Sequence, residues 1–381
     1  MFMKTLFVFG LAFLLVLAVV GVSVVSAASN TYTNNARQIV DRAPDGDTVI
    51  SILLYYDMEG LSGQNIVTSI DFPRPEYFEA RELLTNDVNA VIAGLCAGGA
   101  DEITVVDAHG SFNPEPDILV DKMDPRARMI ARPAKFDPYA DLPLTDHCDA
   151  VVAVGMHSRT GGGGFAEHTI NLGNEWIFND MPLNESEILA YSWGRAGVPL
   201  IMVTGDNKLA EQCAWMDWME YVTVKDAAGI DDAVLRPVDE VHAEMRVKAE
   251  QAIKHLDRAK VVKLSTPIVA TLHVVPPADL SILEKVPGLD YHDQSVTFRA
   301  ADFKEAYDGM RGLLAAAQSG YYDIAAGLLF KQDSGFTQFK DAVLDVWVSA
   351  AKAASEPPQD SSGTASSPAQ PKKEQVFFGS R

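Results

Sequence analysis

The sequence predicts an α/β fold, a mainly parallel sheet covered by helices with a second, smaller α/β lobe, on three observations. Short apolar, β-branched runs alternate with longer stretches in which apolar residues recur at helical spacing. Those runs are apolar almost throughout, as strands covered on both faces are. Beyond about Arg236 the texture changes to a long charged helix and more isolated strands. A chain of 381 residues, 48% hydrophobic and 22% charged, can bury one large core or two smaller ones.

The elements begin after an export segment. Lys4 precedes a run from Thr5 to Val25 that is apolar almost throughout, and Ser26-Ala27-Ala28 supplies the small residues a signal peptidase accepts. The run is long enough to span a bilayer, but the small-x-small pattern of Val25-Ser26-Ala27 favours cleavage after Ala27. Residues 1–27 are thus expected to direct the chain to the periplasm or beyond, with no stable membrane association once removed.

Residues 28–47 read as a polar spacer. Thr48 to Tyr56 is the first core strand. Leu83, Leu84, Val88, Val91, Ile92 and Leu95 place a helix over Glu76 to Cys96, and Gly98-Gly99 ends it. Strands follow at Glu102 to Asp107 and Ala150 to Met156, then a hairpin-like excursion near the sheet edge between Gly161 and Asn179. A helix from Glu185 to Ala196, a strand from Pro199 to Thr204 and a helix from Asn207 to Glu220 complete a first domain over 48–235.

The second lobe, 236–354, takes a helix from Val238 to Ala259, strands at Ile268 to Val274 and Ser295 to Arg299, and a helix from Phe303 to Ala317. Phe336 to Ala354 adds a terminal helix. Ser355 to Lys373 is rich in Ser, Pro, Gln, Gly and Lys, so 355–381 is expected to be a disordered tail.

Composition excludes several classes of function. A formal net charge of −21 argues against nucleic acid and anionic membrane, both of which need a surplus of Lys and Arg. Cys96, Cys148 and Cys213 are odd in number and lack CxxC spacing, which excludes a disulfide framework and a thiolate zinc site. Cys96 falls in a helical stretch and is expected to be buried.

Chemistry gathers at strand ends. Asp57 and Glu59 follow the first strand two residues apart, so their side chains leave one face and repel each other unless a cation lies between them. The second strand ends in Asp107-Ala108-His109 and the third in Gly155-Met156-His157. In a parallel sheet such ends lie side by side, where ligands bind. One histidine there is ordinary, but two beside an acidic pair favour a metal. Glu185 opens a helix, where its bland role is dipole complementarity, and pattern alone does not choose it over Glu187.

Carboxylates and imidazoles without thiolate suit zinc best, with manganese, cobalt and nickel also possible, and two cations fit if one carboxylate bridges. His168, just past Gly161-Gly162-Gly163-Gly164, is the candidate for a reacting imidazole outside the ligand set. On spacing alone a surface histidine beside a flexible loop fits as well. His147, His242, His255 and His273 have no comparable neighbours.

The chain resembles the zinc-dependent D-aminopeptidases of the dipeptide-transport (DppA) type. The likeness lies in Asp57-Met58-Glu59-Gly60-Leu61-Ser62-Gly63, Asp107-Ala108-His109, Gly155-Met156-His157-Ser158-Arg159, Glu167-His168 and Asn179-Asp180-Met181-Pro182-Leu183-Asn184-Glu185. Ala190-Tyr191 and Val203-Thr204-Gly205-Asp206 add to it, and a weaker likeness runs to about Leu314. The resemblance implies two zinc ions per subunit held by Asp57, Glu59, His109, His157 and Glu185, with Asp57 as the bridge. It implies His168 as the nucleophile, short peptides with an N-terminal D-residue as substrates, and a large homo-oligomeric ring. The chain departs from the family in its export segment, its four-glycine loop and everything after about Gln318. Two other classes remain: an exported metal-containing peptide-binding protein without catalysis, and a different metallohydrolase, such as an amidase or phosphatase, with the same ligands.

Overall fold

The computed structural model describes residues 36–42, 48–130, 137–140, 148–321 and 336–355. The expected export segment at 1–27, His147 and the expected tail from 356 onward lie outside the described residues. The first strand, β1 (Arg37–Asp41), pairs antiparallel with β11 (Lys260–Leu264). It falls inside the segment expected to be a spacer. Ile39 and Val40 are 48% and 42% exposed, so backbone pairing rather than side-chain burial holds this strand, and no apolar pattern announces it.

The main sheet contains β2 (Ser51–Tyr56), β3 (Glu102–Asp107), β4 (Ala127–Met129), β5 (Ala150–Met156), β8 (Leu200–Asp206), β9 (Glu220–Gly229) and β10 (Asp232–Leu235). Its order is β10-β9-β8-β5-β2-β3-β4, and every neighbouring pair is parallel except β10 with β9. All six residues of β2 are buried, and they alternate between two cores. Ile52, Leu54 and Tyr56 meet α1 (Pro75–Gly98) and α4 (Val238–Lys254), while Leu53 and Tyr55 meet α2 (Glu185–Gly194) and the second sheet. Each such aliphatic side chain contributes roughly 1.5–3 kcal/mol, which is why the central strands can be almost wholly apolar.

The second sheet is antiparallel, β13-β14-β12-β6-β7, built from β6 (Asn174–Phe178), β7 (Met181–Leu183), β12 (Ile268–Val274), β13 (Asp290–His292) and β14 (Ser295–Ala300). Helix α5 (Phe303–Ala317) covers it, with Phe303 and Tyr307 against Phe178 and Trp176. The excursion expected between Gly161 and Asn179 near the edge of the first sheet contains β6 alone of these strands, and β6 pairs with β7 in a hairpin of this second sheet. Elements from both sides of 235–236 share each packing unit: α4 lies on α1, and β12 pairs with β6.

Helix α1 ends as its glycines predict, with Gly99 at φ 108° donating to the Cys96 and Leu95 carbonyls. The helix expected from Asn207 to Glu220 is shorter. Helix α3 (Asn207–Cys213) stops at Cys213, and Glu220 opens β9, whose β-branched Val222, Thr223 and Val224 prefer the extended strand. The last described element is α6 (Phe336–Ser355). Among the described residues no helix is long and apolar enough to cross a membrane. Cys96 is half-buried rather than buried, and none of the three cysteines is in a disulfide.

Candidate metal centre

Strand order brings the predicted residues together. Strands β3, β2 and β5 are neighbours, and just past their carboxyl ends stand His109, then Asp57 and Glu59, then His157. The loop after β2 lies backbone to backbone on the end of β5: the Asp57 N–H donates to the Val154 carbonyl (2.8 Å) and the Gly60 N–H to the Gly155 carbonyl (2.7 Å). A Cβ on Gly60 would lie 1.9 Å from the Met156 carbonyl oxygen, so only glycine admits this approach.

Three overlapping groups offer ligand atoms within 4.8 Å of one another: Asp57, Glu59 and His109; Asp57, His157 and Glu185; and Glu59, His157 and His168. Asp57 is common to the first two. His109 Nδ1 lies 2.8 Å from Asp57 Oδ1 and 3.4 Å from Glu59 Oε2, while His157 Nε2 lies 3.5 Å from Asp57 Oδ2 and 3.4 Å from Glu185 Oε1. His168 Nε2 is 3.9 Å from both Glu59 Oε1 and Glu185 Oε1, and its ring stacks on His157 at 4.1 Å.

The three imidazoles share one design. His109 Nε2 donates to the Ile70 carbonyl (2.8 Å), His157 Nδ1 to the Ser158 carbonyl (2.9 Å) and His168 Nδ1 to the Ala166 carbonyl (2.9 Å). A carbonyl can only accept, so each ring commits its N–H outward and turns its other nitrogen to the carboxylates. His157 Nε2 is buried with no hydrogen-bond partner, a position that normally costs free energy and that a cation would relieve. The donor set therefore fits one or two divalent cations.

Burial would raise the Asp57 carboxyl, but the His109 and His157 imidazoles outweigh it and hold Asp57 well below the usual carboxylate range. Burial would lower the two histidines, yet Glu59 and Asp57 drive His109 well up, and Glu185 with Asp57 does the same to His157. His168 goes the other way, drawn down first by burial and then by His157.

Its loop is held from within. The Glu167 carboxylate is buried and accepts from the backbone N–H groups of Gly161 (3.0 Å), Gly163 and Gly164 (3.0 Å). The glycines thus wrap an internal anion, as a backbone nest does. Ala166 and Ile170, flanking His168, have φ of 51° and 66°, in the left-handed region that a β-branched isoleucine seldom enters.

The structure separates the two acids that pattern left equal. Glu185 faces the cluster, where Oε1 accepts from the Ile170 N–H (2.7 Å) and Oε2 from the Tyr139 hydroxyl. Glu187 closes a capping box with Asn184 and accepts from Trp215 Nε1 (2.8 Å).

Two supporting residues escaped the sequence. Tyr139 stands alone between segments without a readable pattern. Lys225, fully buried in β9, donates to the carbonyls of Glu59 and Gln64 (2.8 Å each) and lies 4.2 Å from the Phe165 ring; burial pulls it down to about 7. A lone lysine after Val222-Thr223-Val224 was the available signal. Of the histidines given no role, His242 bonds Asp87 (2.8 Å), His273 bonds Ser295 (2.9 Å) and His255 lies 3.7 Å from Glu220, all away from the cluster.

Residues 50–312 match the model of a peptidase family described as D-aminopeptidase. A D-aminopeptidase of Bacillus subtilis (strain 168) is 25% identical over 271 residues, covering 68% of this chain and 95% of that protein. The solved structure of DppA from Bacillus subtilis, described as a Zn-dependent D-aminopeptidase and a self-compartmentalizing protease, matches with a TM-score of 0.64. At 24% identity, over 71% of this chain and 98% of that one, the likeness is one of fold.

Proposed function

From the premise that this chain belongs to the D-aminopeptidase family, we propose that it is an exported binuclear zinc hydrolase that removes the N-terminal D-residue from short peptides of the D-Ala-D-Ala kind. One observation carries the reading. Asp57 turns one carboxylate oxygen to His109, beside Glu59, and the other to His157, beside Glu185, so it would serve two cations at once. Zinc is the metal named for the Bacillus subtilis relative.

Bound there, zinc supplies Lewis acidity toward the scissile carbonyl and lowers the pKa of water. The protein does the rest. Hydrogen bonds from Ile170 and Tyr139 fix Glu185, and the carbonyls of Ile70 and Ser158 fix His109 and His157, so the donors stand aligned before substrate arrives. His168, its Nδ1 committed to the Ala166 carbonyl, turns Nε2 toward Glu59 and Glu185 and is the residue that meets the peptide, by attacking the carbonyl or by carrying a proton to the leaving amine. The export segment supports action on D-amino-acid peptides shed from the cell wall, and the relative's self-compartmentalizing assembly supports a homo-oligomer.

Stereoselectivity has a simple origin. With amine and carbonyl fixed, inverting the α-carbon exchanges side chain and hydrogen, and a close-fitting wall rejects one enantiomer. Purified mature protein with added zinc should cleave D-Ala-D-Ala, D-Ala-Gly or D-alanine amide with kcat/KM at least about tenfold above the L-enantiomers, a difference of about 1.4 kcal/mol. Chromatography of the released amino acid gives the rates. Equal rates, or a preference for L, would remove the D-specific reading and leave a peptidase.

A further inference from the structure

Helix α6 (Phe336–Ser355) lies beyond residue 312, where the family match ends, yet it packs on the candidate centre. Trp347 and Leu344 are buried with Phe165, Ala166, Ile230 and Ala233. The Trp347 ring stands edge-on to His168, with centroids 6.1 Å apart and planes at 90°. Phe165 and Ala166 immediately precede Glu167 and His168, and the Ala166 carbonyl is the acceptor that orients the His168 ring.

The helix is tied down on two sides. Asp341 pairs with Arg74, the N-cap of α1, and Lys352 lies 2.7 Å from Asp231 in the turn between β9 and β10. From 341 to 352 a helix runs about 16 Å, so the two ties hold it near both of its ends. With α6 in place the His168 side chain is 12% exposed, and those of Asp57, Glu59, His157 and Glu185 are still less so.

A peptide undergoing cleavage must bring its carbonyl within about 3–3.5 Å of the reacting atoms. A side chain on the adjoining α-carbon then extends a few ångströms further, into the distance range at which the Trp347 ring stands from His168. A large substituent there would contest that space with a buried indole, and a methyl group would contest it least.

We propose that Trp347, carried on α6 from outside the family-matched region, is a specificity-determining wall of the peptide site. It confines the residue next to the scissile bond to a small side chain and shields His168. The inference rests on the peptidase reading above, and the experiment is arranged so that the two can fail separately.

Full-length, zinc-loaded wild type, Trp347→Phe and Trp347→Ala are assayed on D-Ala-Gly and on D-Leu-Gly or D-Phe-Gly. In Trp347→Ala the ratio of kcat/KM for the bulky peptide over the small one should rise at least about tenfold, the scale on which a few methylenes are discriminated, with Trp347→Phe between. Independently of turnover, carbethoxylation of His168 by diethyl pyrocarbonate, followed by mass spectrometry, should be faster in Trp347→Ala than in wild type. An unchanged ratio with unchanged labelling would overturn the proposal. A wild type inactive on every peptide would remove the peptidase reading, while faster labelling in the variant would leave the shielding role standing. Should Trp347→Ala fail to fold, Trp347→Phe and Leu344→Ala carry the same two measurements.

Discussion

Four of the six residues that meet in the centre leave the ends of neighbouring parallel strands, whereas His168 and Glu185 arrive by a detour through the antiparallel sheet. The two halves are fixed by different means. On the first, sheet hydrogen bonds and the contact between the loop after β2 and the end of β5 set where Asp57, Glu59, His109 and His157 begin. On the second, polar side chains hold backbone: Glu167 the glycine loop, Glu185 the Ile170 N–H, and Thr169 Oγ1 the Leu183 carbonyl (3.2 Å). The rigid sheet ends carry four of the five candidate ligands, while the stitched segments bring in the fifth, Glu185, together with His168, the group proposed to meet a substrate.

If that division is real, substitutions in the two halves should fail in different ways. The largest effect belongs to Asp57→Ala, which should lose zinc and lower kcat/KM by about a thousandfold or more, roughly 4 kcal/mol. Elemental analysis reads the metal directly, and unchanged zinc content would remove Asp57 as the bridge. His168→Ala should keep its zinc and lose about 10²–10⁴ in kcat, the range for a group that moves a proton. A variant that comes out without zinc, or that turns over at the wild-type rate, would erase the distinction between the halves.

The smallest effect is the most local. Glu167→Gln keeps the shape of the side chain but removes the charge that gathers the glycine N–H groups. Stability should drop by about 1.5–3 kcal/mol, read from urea unfolding, with zinc content unchanged. An unaltered unfolding midpoint would mean that the glycines keep their loop without this carboxylate.

The same division explains what could be read from the sequence. Strands β2, β3 and β5 are buried on both faces and therefore announce themselves as apolar runs, and α1 and α5 show their period and caps. Strand β1 is held by its backbone and carries no apolar pattern, while the β-branched run of β9 follows the end of α3 so closely that the two merge in the sequence. His109 and His157 stood out because they terminate legible strands. Glu185 could not be told from Glu187 until the cap claimed one of them, and Tyr139 and Trp347 reach the centre through tertiary contacts that no spacing encodes.

Where the Gly60 N–H meets the Gly155 carbonyl, the separation of Asp57 from His157 is set by peptide groups rather than by a cation. Small domains that order only around zinc lose their shape when a chelator takes it away. A cup closed by its own main chain should instead keep its shape when a chelator empties it. Its carboxylates and imidazoles, with no thiolate among them, would accept manganese, cobalt or nickel as well as zinc, so the ion bound would follow what the surroundings supply.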